Sequence, residues 1–289
     1  MHQIKSYHLD EGDDRGSLKV FEALSYLQGH GTKAFRAHRH TYYQLIWFDK
    51  PGQHFIDFKT YSHPANSLFF VDKGQVHYFC DQSPNQGYLF HFNDEFLNRY
   101  EFSNENWSHY RLFHALTAPF IQLSNLQIGK VEQIRNLIFE ELDKKEFNFE
   151  KQTYYLFRLL LLNIEREKRS QNQKLVETGG DFHLVARFHQ LAEENISQNM
   201  PIDYYAGELG ISVKKLSKLS AELIGDSPAN IISKKKAVEA KRLLSNSNLS
   251  IKEIGYKLGF NQATYFTKFF KKHTSQTPKE FRVSIESEY

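Results

Sequence analysis

His38 and His40 stand two positions apart, and in an extended segment their side chains share a face with Tyr42 and Gln44, because successive side chains of a strand alternate between faces. Imidazoles gathered on one face allow three readings. They can ligate zinc, iron, nickel or copper, they can hydrogen-bond a small polar ligand, or they can be structural residues of a core. The rest of the chain supplies no catalytic apparatus. It has no glycine-rich phosphate loop and no motif in which a nucleophile accompanies its base, so an enzyme is not expected. Cys80 is the only cysteine, which rules out an intramolecular disulfide and a multi-cysteine zinc site, and it reads as a small buried hydrophobe.

The elements that must position these histidines are short strands. Leu18 to Leu27, Tyr42 to Phe48, His54 to Phe58, Ser67 to Val71, Val76 to Cys80 and Tyr88 to Phe92 are rich in aromatic and aliphatic residues. Turn formers separate them at Asp49 to Gly52, His63 to Asn66 and Ser83 to Gly87, a spacing that predicts an antiparallel barrel or sandwich. From Ile128 the period becomes helical. Val131, Ile134, Leu137, Ile138 and Leu142 form one stripe and Tyr154, Phe157, Leu160, Leu161 and Ile164 another, with a break at Glu146 to Phe149, which predicts a helical hairpin. The second helix is apolar around much of its circumference, so either its own domain or a dimer partner must cover more than one side.

Composition agrees with a folded chain of two units: 289 residues, 40% hydrophobic and 25% charged. Met1 to Arg15 is polar and acidic, and no apolar run reaches the length of a membrane helix, so a cytoplasmic protein without membrane contact is expected. Arg169 to Asp181 is polar, ends in Gly179-Gly180, and reads as the interdomain linker. Residues 183–289 hold 16 Lys+Arg against 11 Asp+Glu, a local balance of +5 within a total of +3. The basic excess therefore lies at the carboxyl end, as binding a polyanion through that half would require.

That half repeats itself at about fifty residues. Leu209-Gly210-Ile211 is answered by Leu258-Gly259-Phe260, Leu216-Ser217-Lys218-Leu219 by Phe266-Thr267-Lys268-Phe269, and Ser227-Pro228 by Thr277-Pro278. Each copy reads as a short bracing helix (Asp203 to Leu209; Ile251 to Leu258), a turn glycine and a second helix, which is a helix-turn-helix. Asp203 and Ser250 are expected to cap the bracing helices, and Ser227 and Thr277 to cap helices that begin at the following proline. Pro228 to Leu244 would be a connecting helix with Ile231, Ile232, Val238, Leu243 and Leu244 inward. A separation of about 34 Å between the two second helices would let one chain read successive major grooves.

The run from Ile202 to Arg282 resembles the DNA-binding domain of the AraC-type family of bacterial transcription regulators. The likeness is carried by Ile251 to Phe260, Tyr265 to Lys272 and Thr277-Pro278-Lys279-Glu280-Phe281-Arg282. Position by position, the resemblance implies base contacts from Lys214, Ser217 and Lys218 in the first unit and from Gln262, Ala263, Thr264, Thr267 and Lys268 in the second. The chemistry agrees: lysine donates to guanine, glutamine pairs with adenine, and threonine or alanine methyls touch thymine. Lys215, Lys271 and Lys272 are candidates for phosphate contacts. Leu216, Leu219, Phe266, Phe269 and Phe270 are expected in the core. Lys214 stands where the family often has an aromatic or arginine, and Ser220-Ala221 are matched to Phe269-Phe270.

In front, the resemblance implies an α+β chain that begins with a cupin-like antiparallel β-barrel and a helical dimerisation hairpin. The domains would be residues 1–168 for effector binding and dimerisation, 169–181 as linker, and 182–289 for DNA binding. Gly74-Gln75-Val76-His77 resembles the second cupin block and would bring His77 to the other histidines. The cupin metal pattern expects glutamate where this chain has Gln44. The expected occupant is therefore a small molecule, a sugar or other metabolite, held by Arg36, His38, His40, Tyr42, Gln44 and His77, with no metal or other cofactor. The implied partners are double-stranded promoter DNA, RNA polymerase and a second copy of the chain, and activation of transcription is the expected outcome. The alternative is a cupin metalloenzyme or metal sensor tethered to a DNA-binding module.

Overall fold

The computed structural model describes residues 5–9, 18–100, 112–113, 119–171, 179–246 and 248–288. The chain divides into two compact units, of which one is Ser6–Val176 and the other contains Glu177–Tyr289. No helix among the described residues is long and apolar enough to cross a membrane.

The strands are β1 (Lys5–Tyr7), β2 (Lys19–Glu22), β3 (His38–His40), β4 (Tyr43–Phe48), β5 (Gly52–Ile56), β6 (Lys59–His63), β7 (Ser67–Val71), β8 (His77–Phe79), β9 (Gly87–Phe92) and β10 (Phe120–Gln122). They form two five-stranded sheets, ordered β1-β3-β8-β5-β6 and β10-β7-β4-β9-β2, instead of the closed barrel expected. The chain changes sheet at Thr41-Tyr42, and no ladder joins the edge strands of one sheet to those of the other among the described residues. The inner faces pack on each other instead, with Ile46, Phe48, Phe69, Val71 and Leu89 of one sheet against Ile56 and Phe79 of the other.

All six residues of β4 are buried because the strand is covered on both faces. Its Tyr43, Leu45 and Trp47 point outward into a core built with α3 (Asn125–Lys144) and α4 (Phe149–Gln171). Val131, Ile134 and Ile138 of α3 and Tyr154, Phe157, Leu160, Leu161 and Ile164 of α4 fill that core, so the helical hairpin lies on the outer face of one sheet. The hairpin does not consume all the apolar surface of α4: Tyr155, Leu159 and Leu162 remain 53%, 46% and 44% exposed.

Several local expectations change. Leu18 to Leu27 is not one strand, since after β2 the chain forms α1 (Ala23–His30), whose buried Ala23 and Leu27 are four apart and share a helix face. The strand expected over His54 to Phe58 stops at Ile56, where Asp57 and Phe58 take left-handed φ of 45° and 68° and turn the chain into β6. β1, β6 and β10 and the short α2 (Asp94–Asn98) escaped the sequence pattern because they are three to five residues long or mostly polar. The segment read as linker is helical at both ends, since α4 runs to Gln171 and α5 begins at Gly179, and residues 172–178 lie outside the described set. Cys80 is half-buried.

The second unit contains α5 (Gly179–Glu194), α6 (Ile202–Glu208), α7 (Val213–Ile224), α8 (Pro228–Asn246), α9 (Ile251–Lys257), α10 (Ala263–Thr274) and α11 (Pro278–Glu288). Phe188, Leu191 and Ala192 of α5 pack with Tyr205, Ala206, Leu216 and Ile231, so the first half-unit is completed by the helix that precedes it. Asp203 lies inside the first turn of α6, and Pro201 is the cap position. Ser250 does cap α9, in a reciprocal capping box with Glu253. Thr277 forms the same exchange with Glu280 at the start of α11, and Ser227 Oγ accepts from Asn230 N at the start of α8.

The turns of the two halves are alike. Ile211 N donates to Ala206 O at 3.0 Å and Phe260 N to Gly255 O at 2.9 Å, while Gly210 and Gly259 take φ of 64° and 83°. Lys236, a buried residue of α8, donates to Leu258 O at 3.0 Å and to Asn199 Oδ1, and the Asn199 amide donates to Gly259 O. Burial pulls this ammonium down to about 8. The two turn glycines differ in surroundings: a Cβ at Gly259 would meet Ser197 O at 2.3 Å, whereas one at Gly210 would meet nothing within 4 Å. Gly210→Ala is expected to cost only the strain of a left-handed L-residue, about 1–2 kcal/mol, and Gly259→Ala clearly more than that. Urea unfolding of the full chain, followed through the transition of the second unit, measures both.

Candidate nucleic-acid interface and histidine cluster

The second helices of the two motifs, α7 and α10, are twelve residues each, so Val213 corresponds to Ala263. At about 100° per residue, Lys214, Ser217 and Lys218 fall on one face of α7, and Thr264, Thr267 and Lys268 fall on the same face of α10. The opposite faces are buried, through Leu216, Leu219 and Ser220 in α7 and Phe266 and Phe270 in α10. Lys214, Lys218, Gln262, Thr264 and Lys268 are exposed, and Ser217, Ala263 and Thr267 half-exposed, so every residue assigned to base contact reaches the surface.

Ser212 caps α7 by accepting from Lys215 N at 3.2 Å. Gln262 occupies the equivalent position before α10 without bonding the helix backbone; its Oε1 instead accepts from Thr264 Oγ1 at 3.4 Å. Thr267 Oγ1 turns back and donates to Ala263 O at 2.9 Å. Lys214, Lys268, Lys271 and Lys272 make no salt bridge among the described residues. Lys215 pairs with Asp181 at 3.1 Å and Lys218 with Glu222 at 3.8 Å. Such exposed pairs contribute under about 1 kcal/mol and leave both cations available to a polyanion.

Two sequence expectations are corrected. Phe269 is half-buried and its ring meets that of His273 at a tilt of 44°, with 4.6 Å between ring centres. Equal helix lengths match Leu219 to Phe269 and Ser220 to Phe270, so the smaller buried group of the first half is Ser220, whose Oγ has no partner among the described residues. Tyr265, 58% exposed at the place of Lys215, was not in the sequence-based set; its exposure follows from lying one step off the buried Phe266.

In the first unit, β3 and β8 pair in register at His38 and His77. His38, His40 and His77 are all buried, with ring centres 4.4 to 4.9 Å apart, and one ring nitrogen of each lies within 4.8 Å of the others. Gln44 is on the opposite sheet, in register with His91, and donates to His91 Nε2 at 2.5 Å. Tyr42 stacks obliquely between His40 and His91, at 4.4 and 4.9 Å. The residues expected to share one strand face thus come from two facing sheets, and still meet in one interior layer. Arg36 departs from this set: its side chain is exposed, and its contribution is the carbonyl that accepts from His38 Nδ1 at 2.7 Å.

His54 and His91 were missed in the sequence, although the period of two in their strands places each facing inward. His54 Nε2 lies 3.3 Å from His77 Nδ1. Burial strips these rings of water and disfavours their charged forms. It lowers His38 to about 4 and His54 and His91 to about 3, and it pushes His40 and His77 well below the ordinary value, with neighbouring histidines adding to the effect. A cavity of about 220 Å³ opens beside the cluster, lined by Tyr7, Lys19, Tyr26, His38, Tyr42 and His91 among others.

Residues 205–284 match the helix-turn-helix domain family. The virulence regulon transcriptional activator VirF of Yersinia enterocolitica is 30% identical over 98 residues, which are 34% of this chain and 36% of VirF, so the match spans about a third of that relative. The HTH-type transcriptional activator RhaS of Escherichia coli O1:K1 is 21% identical over 262 residues, 86% of this chain and 87% of RhaS. A solved AraC-type transcriptional regulator from Chromobacterium violaceum aligns over 37% of this chain and 95% of its own, at 26% identity and a TM-score of 0.35.

The division of α10 into an outward and an inward face has a direct consequence for stability. Thr264→Ala and Lys268→Ala are expected to change the unfolding free energy by no more than about 0.5 kcal/mol, whereas Phe266→Ala is expected to cost about 3–5 kcal/mol. Chemical denaturation of the three variants checks the assignment before any DNA is added.

Proposed function

We propose that the chain is a sequence-specific DNA-binding regulator of transcription of the AraC type, acting through residues 205–284, which match a helix-turn-helix domain family. The observation that carries the reading is the pair of twelve-residue helices, each with a buried apolar face and an exposed face of lysine, threonine, serine or glutamine. α7 and α10 would each enter a major groove, with Lys214, Ser217, Lys218, Gln262, Ala263, Thr264, Thr267 and Lys268 at base edges. Lys215, Lys271 and Lys272 would meet phosphates. Activation is the proposed outcome, as for the transcriptional activators VirF and RhaS, and RNA polymerase is the proposed protein partner.

The first unit would receive the effector. Its cavity of about 220 Å³ is smaller than the roughly 300–1,000 Å³ of drug-sized sites, so it suits a compact metabolite such as a monosaccharide. The exposed Tyr155, Leu159 and Leu162 of α4 support a homodimer formed through the helical hairpin. A regulatory rather than enzymatic role is proposed, since the relatives are named as regulators.

Selection of bound fragments from genomic DNA by the full-length protein, followed by titration at several salt concentrations, tests this reading. A discrete motif should be enriched. Lys271→Ala and Lys272→Ala should each lower the slope of log affinity against log salt by about 1 without altering base preference, while Gln262→Ala should cost about 1–3 kcal/mol and relax preference at one position. Equal affinity for all fragments, or variants indistinguishable from wild type, would refute it.

A further inference from the structure

The histidine layer contains more unsatisfied nitrogen than a structural core tolerates. Both ring nitrogens of His40 and Nε2 of His77 are buried and have no hydrogen-bond partner among the described residues, and Gln44 Oε1 is in the same condition. Native interiors rarely leave such groups alone; where they do, an ion, a water or a ligand is the usual explanation.

The neighbouring contacts prepare these atoms for a cation. His38 Nδ1 donates to Arg36 O, which leaves its Nε2 as a lone pair. If His77 Nδ1–H donates to His54 Nε2, the 3.3 Å contact fixes His77 in the same tautomer, with Nε2 directed at the cluster. A metal-ligating imidazole characteristically spends its other nitrogen on a carbonyl or another polar group in this way. His40 has both nitrogens at its disposal. A transition metal sits about 2.0–2.1 Å from each imidazole nitrogen, so its ligand atoms must come within about 4.2 Å of one another. Binding would require ring rotations that close the observed limit of 4.8 Å, on strands already held in register at His38 and His77.

We propose that His38, His40 and His77 bind one divalent transition-metal ion. The donor set is three neutral nitrogens with no carboxylate, which favours zinc, cobalt, nickel or copper over magnesium or calcium. Gln44 offers an amide oxygen where the cupin pattern has a charged one, so the ion keeps its full charge. His38 also lines the cavity, which places a remaining coordination position within reach of an anion entering there. The metal would thereby anchor an oxygen of the effector bound in the cavity, with a small anion as its probe. The metal site itself stands independently of the DNA-binding reading.

The test uses untagged full-length protein stripped with a chelator and titrated with Co²⁺ under visible absorption. One equivalent per chain should bind with d–d bands, raise the melting temperature, and change its spectrum on addition of azide. Cu²⁺-loaded protein should show three nitrogen ligands by electron paramagnetic resonance. His54→Ala, which removes the contact behind His77 without touching a proposed ligand, should weaken Co²⁺ binding about 10–100-fold, and His40→Ala and His77→Ala should weaken it more. Absence of binding, fewer than three nitrogens in the wild-type spectrum, or full binding by the His40→Ala and His77→Ala variants would overturn the proposal. DNA binding by the stripped protein, measured in parallel, separates that failure from a failure of the regulator reading.

Discussion

The arrangement of the second unit hangs on one buried ammonium. Lys236 lies on the helix that connects the two helix-turn-helix motifs, and its Nζ reaches the carbonyl that ends the bracing helix of the second motif as well as Asn199, which precedes the first. Asn199 in turn holds the carbonyl of the turn glycine, Gly259. A buried charge is retained only when its donors are used, and here they are used on main-chain and amide oxygens that belong to different halves of the unit. The consequence is geometric. The connecting helix, the second turn and the segment leading into the first motif are tied at one point, so α7 and α10 keep a set relation, as two helices reading one DNA face must.

The first unit solves a different problem. Its strand β4 is buried on both sides, by the facing sheet and by the α3–α4 hairpin, and such a strand should be continuously apolar. It carries Gln44 at its inner end nonetheless, opposite His91 and near a layer of further histidines. Polar side chains inside an aromatic sandwich cost solvation, and their concentration at one end marks that end as the place where the fold gives up stability for a site. The same sheet supports the hairpin, on which Tyr155, Leu159 and Leu162 remain exposed.

How much of this is legible in the sequence depends on the range of the interactions involved. The paired motifs are legible because each is local: a glycine at the turn, apolar residues three and four apart, and a Ser or Thr before proline recur within fifty residues. The bracing cap at Ser250 follows from the same local chemistry, while Asp203 misleads because Pro201 already occupies the cap position. The hairpin helices announce themselves through the stripes at Val131 to Leu142 and Tyr154 to Ile164. By contrast, α1 is hidden because Ala23 and Leu27 sit in a run that also fits a strand, and β6 because its residues are mainly polar. His54 and His91 come to the cluster only through cross-strand register, which no local pattern encodes. Arg36 fails for the complementary reason: neighbouring His38 in sequence does not direct its side chain inward.

In the proposed complex one chain presents two recognition helices, α7 and α10, to one face of a duplex. Hydroxyl-radical footprinting of the full-length protein on a selected site measures this most directly. Two protected blocks centred about 10 base pairs apart, in phase on one side of the DNA, are the predicted result. A single block, or two blocks half a turn out of phase, would contradict the account.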